Sequence, residues 1–492
     1  MSKVTKTARN GYKLAALLVV MGLCYGAYAA AMVLSGPESI NVPSGTTVTL
    51  SDPITGTGPL VLTGGGTLAL SNGENDFTGG IIVSNGIVRA DAAGSFGTGP
   101  ITLEGDATVR TVELNANRGV FVNSITLKDK TTAKASPAVR ATQSATVSGN
   151  LSIDPSLAAD TEFWIATADT TTRFEVTGAC NAGAARIGFT GNGKTALKGV
   201  VTADRCICGG SYSDNGNVEF WNRDNAISSV YLYAYDVYCK NTNVLYKSYI
   251  FFDWNSGWGA NGHGFVFLSG YDQVFMRLHN RYLPAALDRD GYACAIPLTT
   301  SSEAHSVITL VGVENGDSST ACYAALNGNF SLVMDKVPSG KTMYQKIGYR
   351  NHKMKGDITL KNGSLYLQEN ATFPNVPKLK VEGGSLTFTG ITNSLPALKT
   401  FEMTGGSATF QNTCVNAIPG TNTEYHLSSS AKLYLQTGVT NIVRKLFVDG
   451  AAMPAGIYTY QNLPLMKHSS AASYAGALDV RRGPKGLSLS IR

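Results

Sequence analysis

Through much of the C-terminal half, apolar residues fall at every second position. Leu365 and Leu367, Leu379 and Val381, Leu386 and Phe388, and Phe401 and Met403 enclose Tyr366, Lys380, Thr387 and Glu402. A period of two is that of a strand with one buried face, because successive side chains point to opposite sides of the pleat. Helical spacing is absent from these stretches. The alternating segments also recur at a nearly constant step. Gly363-Ser364-Leu365-Tyr366-Leu367, Gly384-Ser385-Leu386-Thr387-Phe388 and Gly406-Ser407-Ala408-Thr409-Phe410 follow one another, and the looser Ala431-Lys432-Leu433-Tyr434-Leu435 comes next. Near the N-terminus, Gly66-Thr67-Leu68-Ala69-Leu70 is followed at a similar step by Gly86-Ile87-Val88-Arg89-Ala90. Such a period marks a solenoid, in which one repeat is one coil that is unstable alone and stable in the stack. The Gly-Gly pairs at 383–384 and 405–406 fall where the chain must turn a corner, and glycine accepts the positive φ that corners demand.

These patterns predict an all-β chain built as a parallel β-helix, or β-solenoid. Residues 30–160 and 296–445 are expected to be coils. Residues 446–480 are expected to form a cap, because an uncovered sheet edge is a template for other chains, with 481–492 as a tail. Residues 161–295 form a less regular, aromatic-rich central segment, either irregular coils or an inserted β subdomain.

The segment from Met1 to Ala29 reads as an export signal. Lys3, Lys6, Arg9 and Lys13 precede the apolar run from Leu14 to Leu23, and Ala27-Tyr28-Ala29 offers small residues at a cleavage site. Removing this segment takes four of the 40 Lys plus Arg and none of the 34 Asp plus Glu, leaving 36 minus 34, or +2. So balanced a chain carries no electrostatic footprint for nucleic acid, and no later window approaches a membrane span. Seven of the eight cysteines remain, in a compartment where disulfides can persist. Seven is odd, so at least one stays unpaired. Cys206 and Cys208 lie two apart, on one face of a strand, and are expected to reach different partners rather than each other.

Residues 56–103, GTGPLVLTGGGTLALSNGENDFTGGIIVSNGIVRADAAGSFGTGPITL, resemble the autotransporter-associated β-strand repeat, also called the passenger-associated transport repeat. They match its Gly-rich strand, Asn-rich turn, Phe-Thr-Gly-Gly, valine strand, Asn-Gly and closing Gly-Thr-Gly-Pro. The segment Leu446-Phe447-Val448-Asp449-Gly450, with Pro454-Ala455-Gly456-Ile457-Tyr458, is similar to the terminal segment of large secreted proteins built from these repeats. The resemblance is thin between about 105 and 265. It implies a right-handed parallel β-helix exported from a bacterium as a passenger, with the repeat assisting export or folding outside. An autotransporter barrel takes about a dozen strands of about 10 residues. No such series follows Gly356, so another export route or a separate translocator is expected.

Motifs for chemistry are few. Gly188 to Thr195 satisfies the spacing of a phosphate-binding loop, yet Ala196 to Val201 is broken by Gly199 and offers no helix N-terminus, so a β-turn between coils is the better reading. Residues 212–292 hold 19 of the 44 aromatics. These either fill a core and ladder along a face or offer a glycan-stacking surface, for which Trp254, Trp258 and Tyr271 with Asp253 and Asp272 are the candidate contacts. Those two carboxylates, separated by about one coil, could also stack as a catalytic pair on a groove. The six histidines show no metal-ligand spacing. No catalytic, cofactor or metal residues are therefore assigned. The expected function is that of an exported, non-enzymatic structural or adhesin-like element, with cell-surface glycans or other surface proteins as partners. The alternative is a carbohydrate-binding or polysaccharide-degrading protein on the same scaffold. Protein recovered outside the cytoplasm is expected to begin at Ala30 by N-terminal sequencing; an intact Met1 in a soluble cytoplasmic pool would overturn the leader.

Overall fold

The computed structural model describes residues 31–129, 133–210, 214–233, 235–252, 266–280, 295–297, 304–312, 321–322, 325–335, 344–348, 352–368, 371–389, 395–411, 422–467 and 474–481. Among them all regular structure is β-strand. Stacked parallel strands form a β-solenoid, which divides into two compact units, residues 1–226 and 227–492.

In the first unit each coil adds a strand to parallel ladders that face a common interior. One ladder runs through Glu38–Asn41, Leu60–Thr63, Ile81–Val83, Ile101–Leu103, Ile125–Leu127, Leu151–Ile153 and Cys180–Asn181. A second runs through Thr47–Leu50, Thr67–Leu70, Gly86–Ala90, Arg110–Leu114, Val139–Ala141, Glu162–Thr167 and Arg186–Gly191. The long strand Val201–Cys208 joins both. A third ladder is Gly119–Phe121, Ala145–Val147, Arg173–Val176, Lys194–Leu197 and Asn217–Phe220. The ladders thus continue past residue 161 to Phe220 as coils of the same stack. Alternation puts Leu62, Val83, Leu103, Leu127 and Ile153 in one inward column, all buried.

Coil length drifts along this unit. Leu68 pairs with Val88, but the ladder step widens from there, to Leu103 with Leu127, then Leu127 with Ile153, then Val147 with Val176. Loops absorb the added length while the inward positions stay in register. Within the repeat match, buried Asn75 fastens neighbouring coils: its Oδ1 accepts the Ile54 N–H at 2.8 Å and its Nδ2 donates to the Ser95 carbonyl at 2.6 Å. Phe77, two positions on, fills the interior.

One corner of the coil is glycine in most turns of this unit, with Asn123 as the exception, its Nδ2 donating to the Gly99 carbonyl at 2.7 Å. A Cβ on Gly58, Gly79, Gly149, Gly178 or Gly199 would penetrate the backbone of the coil before it, at Gly36, Gly58, Asn123, Gly149 and Gly178 respectively. The same unit leaves Cys180, Cys206 and Cys208 as free, buried thiols, and Cys239 is another in the second unit. Cys206 and Cys208 share the inward face, as their spacing predicts, but neither is in a disulfide. Burial pushes the Cys180 thiol up to about 12, so these cysteines act as small apolar core residues.

The second unit repeats the plan. One ladder passes through Ser248–Phe252, Gln273–Asn280, Ser306–Leu310, Phe330–Met334, Ile358–Leu360, Lys378–Val381, Thr400–Met403, Glu424–Leu427 and Lys445–Val448. The copies visible in the sequence pair one to one: Leu365 with Leu386, Leu386 with Ala408, Ala408 with Leu433. Gly384 and Gly406 take φ of +73° and +66° at the corners. After Val448 the chain reverses through Asp449 and Gly450, both at positive φ, and lays Ala451–Ala452 antiparallel on Lys445–Val448. Ala477–Val480 pairs with both Thr440–Val443 and Gly456–Tyr458.

Gly178→Ala is expected to destabilise the protein by about 1–3 kcal/mol through overpacking, read as a lowered midpoint in denaturant. Gly36→Ala, where an added Cβ meets nothing within 4 Å, should be near neutral, and equal effects would show that the corner tolerates side chains.

Candidate functional site

Of the predicted glycan contacts, Asp253, Trp254 and Trp258 lie outside the described residues. Tyr271 is 38 % exposed, on the turn before Gln273–Asn280. Asp272, next to it, joins coils: its carboxylate accepts the Val307 N–H at 2.7 Å and its carbonyl accepts the Asn243 N–H at 3.0 Å. The described aromatics of this segment divide by strand alternation. Tyr235, Phe252 and Phe275 fill the interior, while Tyr231, Tyr238, Phe251 and Phe267 stand half-buried on outer faces. Tyr231 stacks on Phe251 with centroids 4.4 Å apart, and Tyr238 on Phe267 at 4.4 Å. In-register stacking aligns equivalent rings, so each covers a face of its neighbour and shows solvent an edge. A sugar that stacks on aromatics needs the face. These paired rings do not supply an open platform.

The stretch from Gly188 to Thr195 is the end of one strand, a corner and the start of Lys194–Leu197. Lys194 Nζ lies 3.2 Å from Glu219 Oε1. Gly188 pairs with Trp164, whose indole fills the space a Cβ would need. Trp164 Nε1 donates to Glu162 at 2.9 Å, and Lys134 Nζ sits 5.2 Å from the ring centre. The glycine here makes room for an aromatic rather than for a phosphate. Among the described residues no group of three His, Cys, Asp or Glu side chains could hold a metal ion.

Elsewhere, near the end of the second unit, the surface carries an open groove of about 420 Å³. Outward positions of neighbouring coils line up in columns there: Lys378, Thr400, Glu424 and Lys445 in one, Lys380, Glu402, His426 and Phe447 in the next. Thr400, Glu402, Thr404, His426 and Ser428 line the groove, and the Asp449–Gly450 turn borders it. Glu402 meets Lys378 Nζ at 2.6 Å and Lys380 Nζ at 3.4 Å. Partial burial pushes its carboxyl up, but the hydrogen bond from Lys378 and the charges of both lysines outweigh it and hold the group below the ordinary range. Glu424 is lowered chiefly by the hydrogen bond from Lys445, and Asp449 by the Ser429 N–H that it accepts at 2.9 Å. His426 Nε2 lies 3.6 Å from Glu424, and its ring stacks on Phe447 at 4.5 Å. The groove thus holds ionised carboxylates, hydroxyls and an imidazole. The raised carboxylic acid that glycoside cleavage uses is not among Glu402, Glu424 and Asp449.

No family model matches the chain, and no curated protein or solved structure is significantly similar to it. The groove was missed in the sequence because Glu402, His426 and Asp449 belong to successive coils. Carrying the repeat period over to outward residues brings them together.

Glu402 and Glu424 are depressed in the folded state, so the stability they contribute is full above the unfolded glutamate range of about 4.3 and is lost as pH falls through their folded values. Thermal melts are expected to show a midpoint that drops as pH falls below about 4.3, less steeply in a Glu402→Gln, Glu424→Gln double variant; parallel profiles would exclude these carboxylates as contributors.

Proposed function

We propose that the protein is an exported, non-enzymatic β-solenoid that serves as a structural or adhesin-like element at the cell surface or in the surrounding medium. The observation that carries this reading is where the polar groups go. Outward charges and amides pair along the stack, as in Arg140 with Glu113 at 3.5 Å, Lys361 with Asp335 at 2.9 Å and Asp272 with the Val307 N–H. These pairs tie each coil to the next, which is what a structural stack asks of its outward polar groups. Export is supported by the charge and apolar layout from Met1 to Ala29, and by the likeness of residues 56–103 to a passenger repeat that assists export. Cell-surface glycans or other surface proteins are the partners that suit such an element.

A second reading, carbohydrate binding or polysaccharide degradation, is favoured by the groove beside Asp449. The fold itself does not choose between them. A glycan array followed by a product assay on bound polysaccharides separates the two. Binding without turnover, or no binding at all, is the expected result, and turnover abolished by Glu402→Gln or Asp449→Asn would overturn the non-enzymatic reading.

A further inference from the structure

We propose that Glu38 is a charge gate, which keeps the N-terminal end of the solenoid from stacking on a second copy of this chain. In the first ladder Glu38 pairs with Leu60, and from there Leu60, Ile81, Ile101, Ile125, Leu151, Cys180 and Val201 follow one another in register. The side chains from Leu60 to Val201 in this column are apolar and buried, none more than 3 % exposed. The first coil thus places a carboxylate where every later member of the column has an apolar group.

Among the described residues, Met32–Leu34, Glu38–Asn41 and Thr47–Leu50 pair only with the coil that follows them. In the second unit, by contrast, Ala451–Ala452 lies antiparallel on Lys445–Val448. Val48 and Leu50 are half-buried, while their ladder partners Leu68 and Leu70 are fully buried. A free strand edge is a template for another chain. A second copy turned end over end offers the same edge with its strand directions reversed, so pairing across the seam would be antiparallel, which is at least as stable as parallel.

Several features of the first coil oppose that pairing. Its strands are only three or four residues long. Pro37 and Pro43 flank Glu38–Asn41 and carry no N–H. Short edge strands, prolines and inward charges are the means by which natural sheets protect an edge, and here the charge is the hardest to override. Stacking would carry two Glu38 carboxylates into the seam, and burying an ionised carboxylate without a partner is strongly unfavourable. Lys, Arg and His are all absent from Ala31 to Val88, so neither copy brings a cation to that end from its first coils. An apolar residue at this position would extend the column and remove the obstacle.

The test is sedimentation velocity over a concentration series, comparing the unaltered chain with Glu38→Leu, Glu38→Gln and Ser39→Leu. Each comparison is made within one form, with or without the leader, so its outcome is independent of the export reading. Glu38→Leu is expected to self-associate with a dissociation constant at least roughly tenfold below that of the unaltered chain. Glu38→Gln, which removes only the charge, should shift it in the same direction by less. Ser39 points outward beside Val61, so Ser39→Leu adds the same apolar group to the other face of the strand and should leave association unchanged. Thermal melts establish that the variants are folded; should Glu38→Leu fail to fold, Glu38→Gln carries the test. Unchanged association in the folded Glu38 variants, or equal association in Ser39→Leu, overturns the gate. So does an unaltered protein that already associates as tightly as Glu38→Leu.

Discussion

The close approach of one coil's backbone to the next is the constraint on which the rest of the structure depends. Parallel strands in a ladder sit about 4.8 Å apart, and the corner at Gly58, Gly79, Gly149, Gly178 and Gly199 must hold that spacing while the chain changes direction. At these five positions a Cβ would run into the coil before it, whereas Asn123 takes the same corner and bonds the Gly99 carbonyl at 2.7 Å. Glycine eases the close approach at most of these corners, and stacking is the condition for burying the inward Leu, Val and Ile that no single coil could bury.

The same spacing governs the outside. In an in-register parallel stack each outward residue lies directly over its equivalent, so like charges in succession would repel at short range. Some columns alternate or change chemistry, as in Arg89, Glu113 and Arg140, or Lys380, Glu402 and His426, and where Arg173 stacks on Lys194 the Glu219 carboxylate lies within ion-pair distance of both. Aromatic residues gain from stacking where like charges would suffer, and Tyr231 with Phe251 and Tyr238 with Phe267 stack face to face, each at 4.4 Å. The consequence is lost accessibility: a ring used in the ladder cannot also receive a ligand on that face. Concavity arises where the regular stack ends, and the groove lies where the Asp449–Gly450 reversal folds the terminal strand back.

Much of the architecture is legible in the residues themselves. Strand alternation, the recurring Gly-Ser copies, the corner glycines and a set of coils on either side of the aromatic segment all rest on local patterns, because a half-buried strand imposes a period of two and a corner at positive φ favours glycine. The β-turn reading of Gly188 to Thr195 was available from the missing helix, although the reason for Gly188 was not, since Trp164 lies a full coil earlier and meets it only across the ladder.

Tertiary structure decided what depends on register. The coils between Ile101 and Val176 lengthen from one ladder step to the next, so their period faded from the sequence although their inward positions still stack. A loop on the surface can take up added length freely, while the core asks only that apolar side chains keep their column. Asp272 looked like a ligand contact by its neighbours in the chain, but the Val307 N–H of another coil occupies its carboxylate. Glu402, His426 and Asp449 looked unrelated, and the stack made them one groove, because in a solenoid the neighbours that determine a side chain's chemistry are one coil away rather than one residue away.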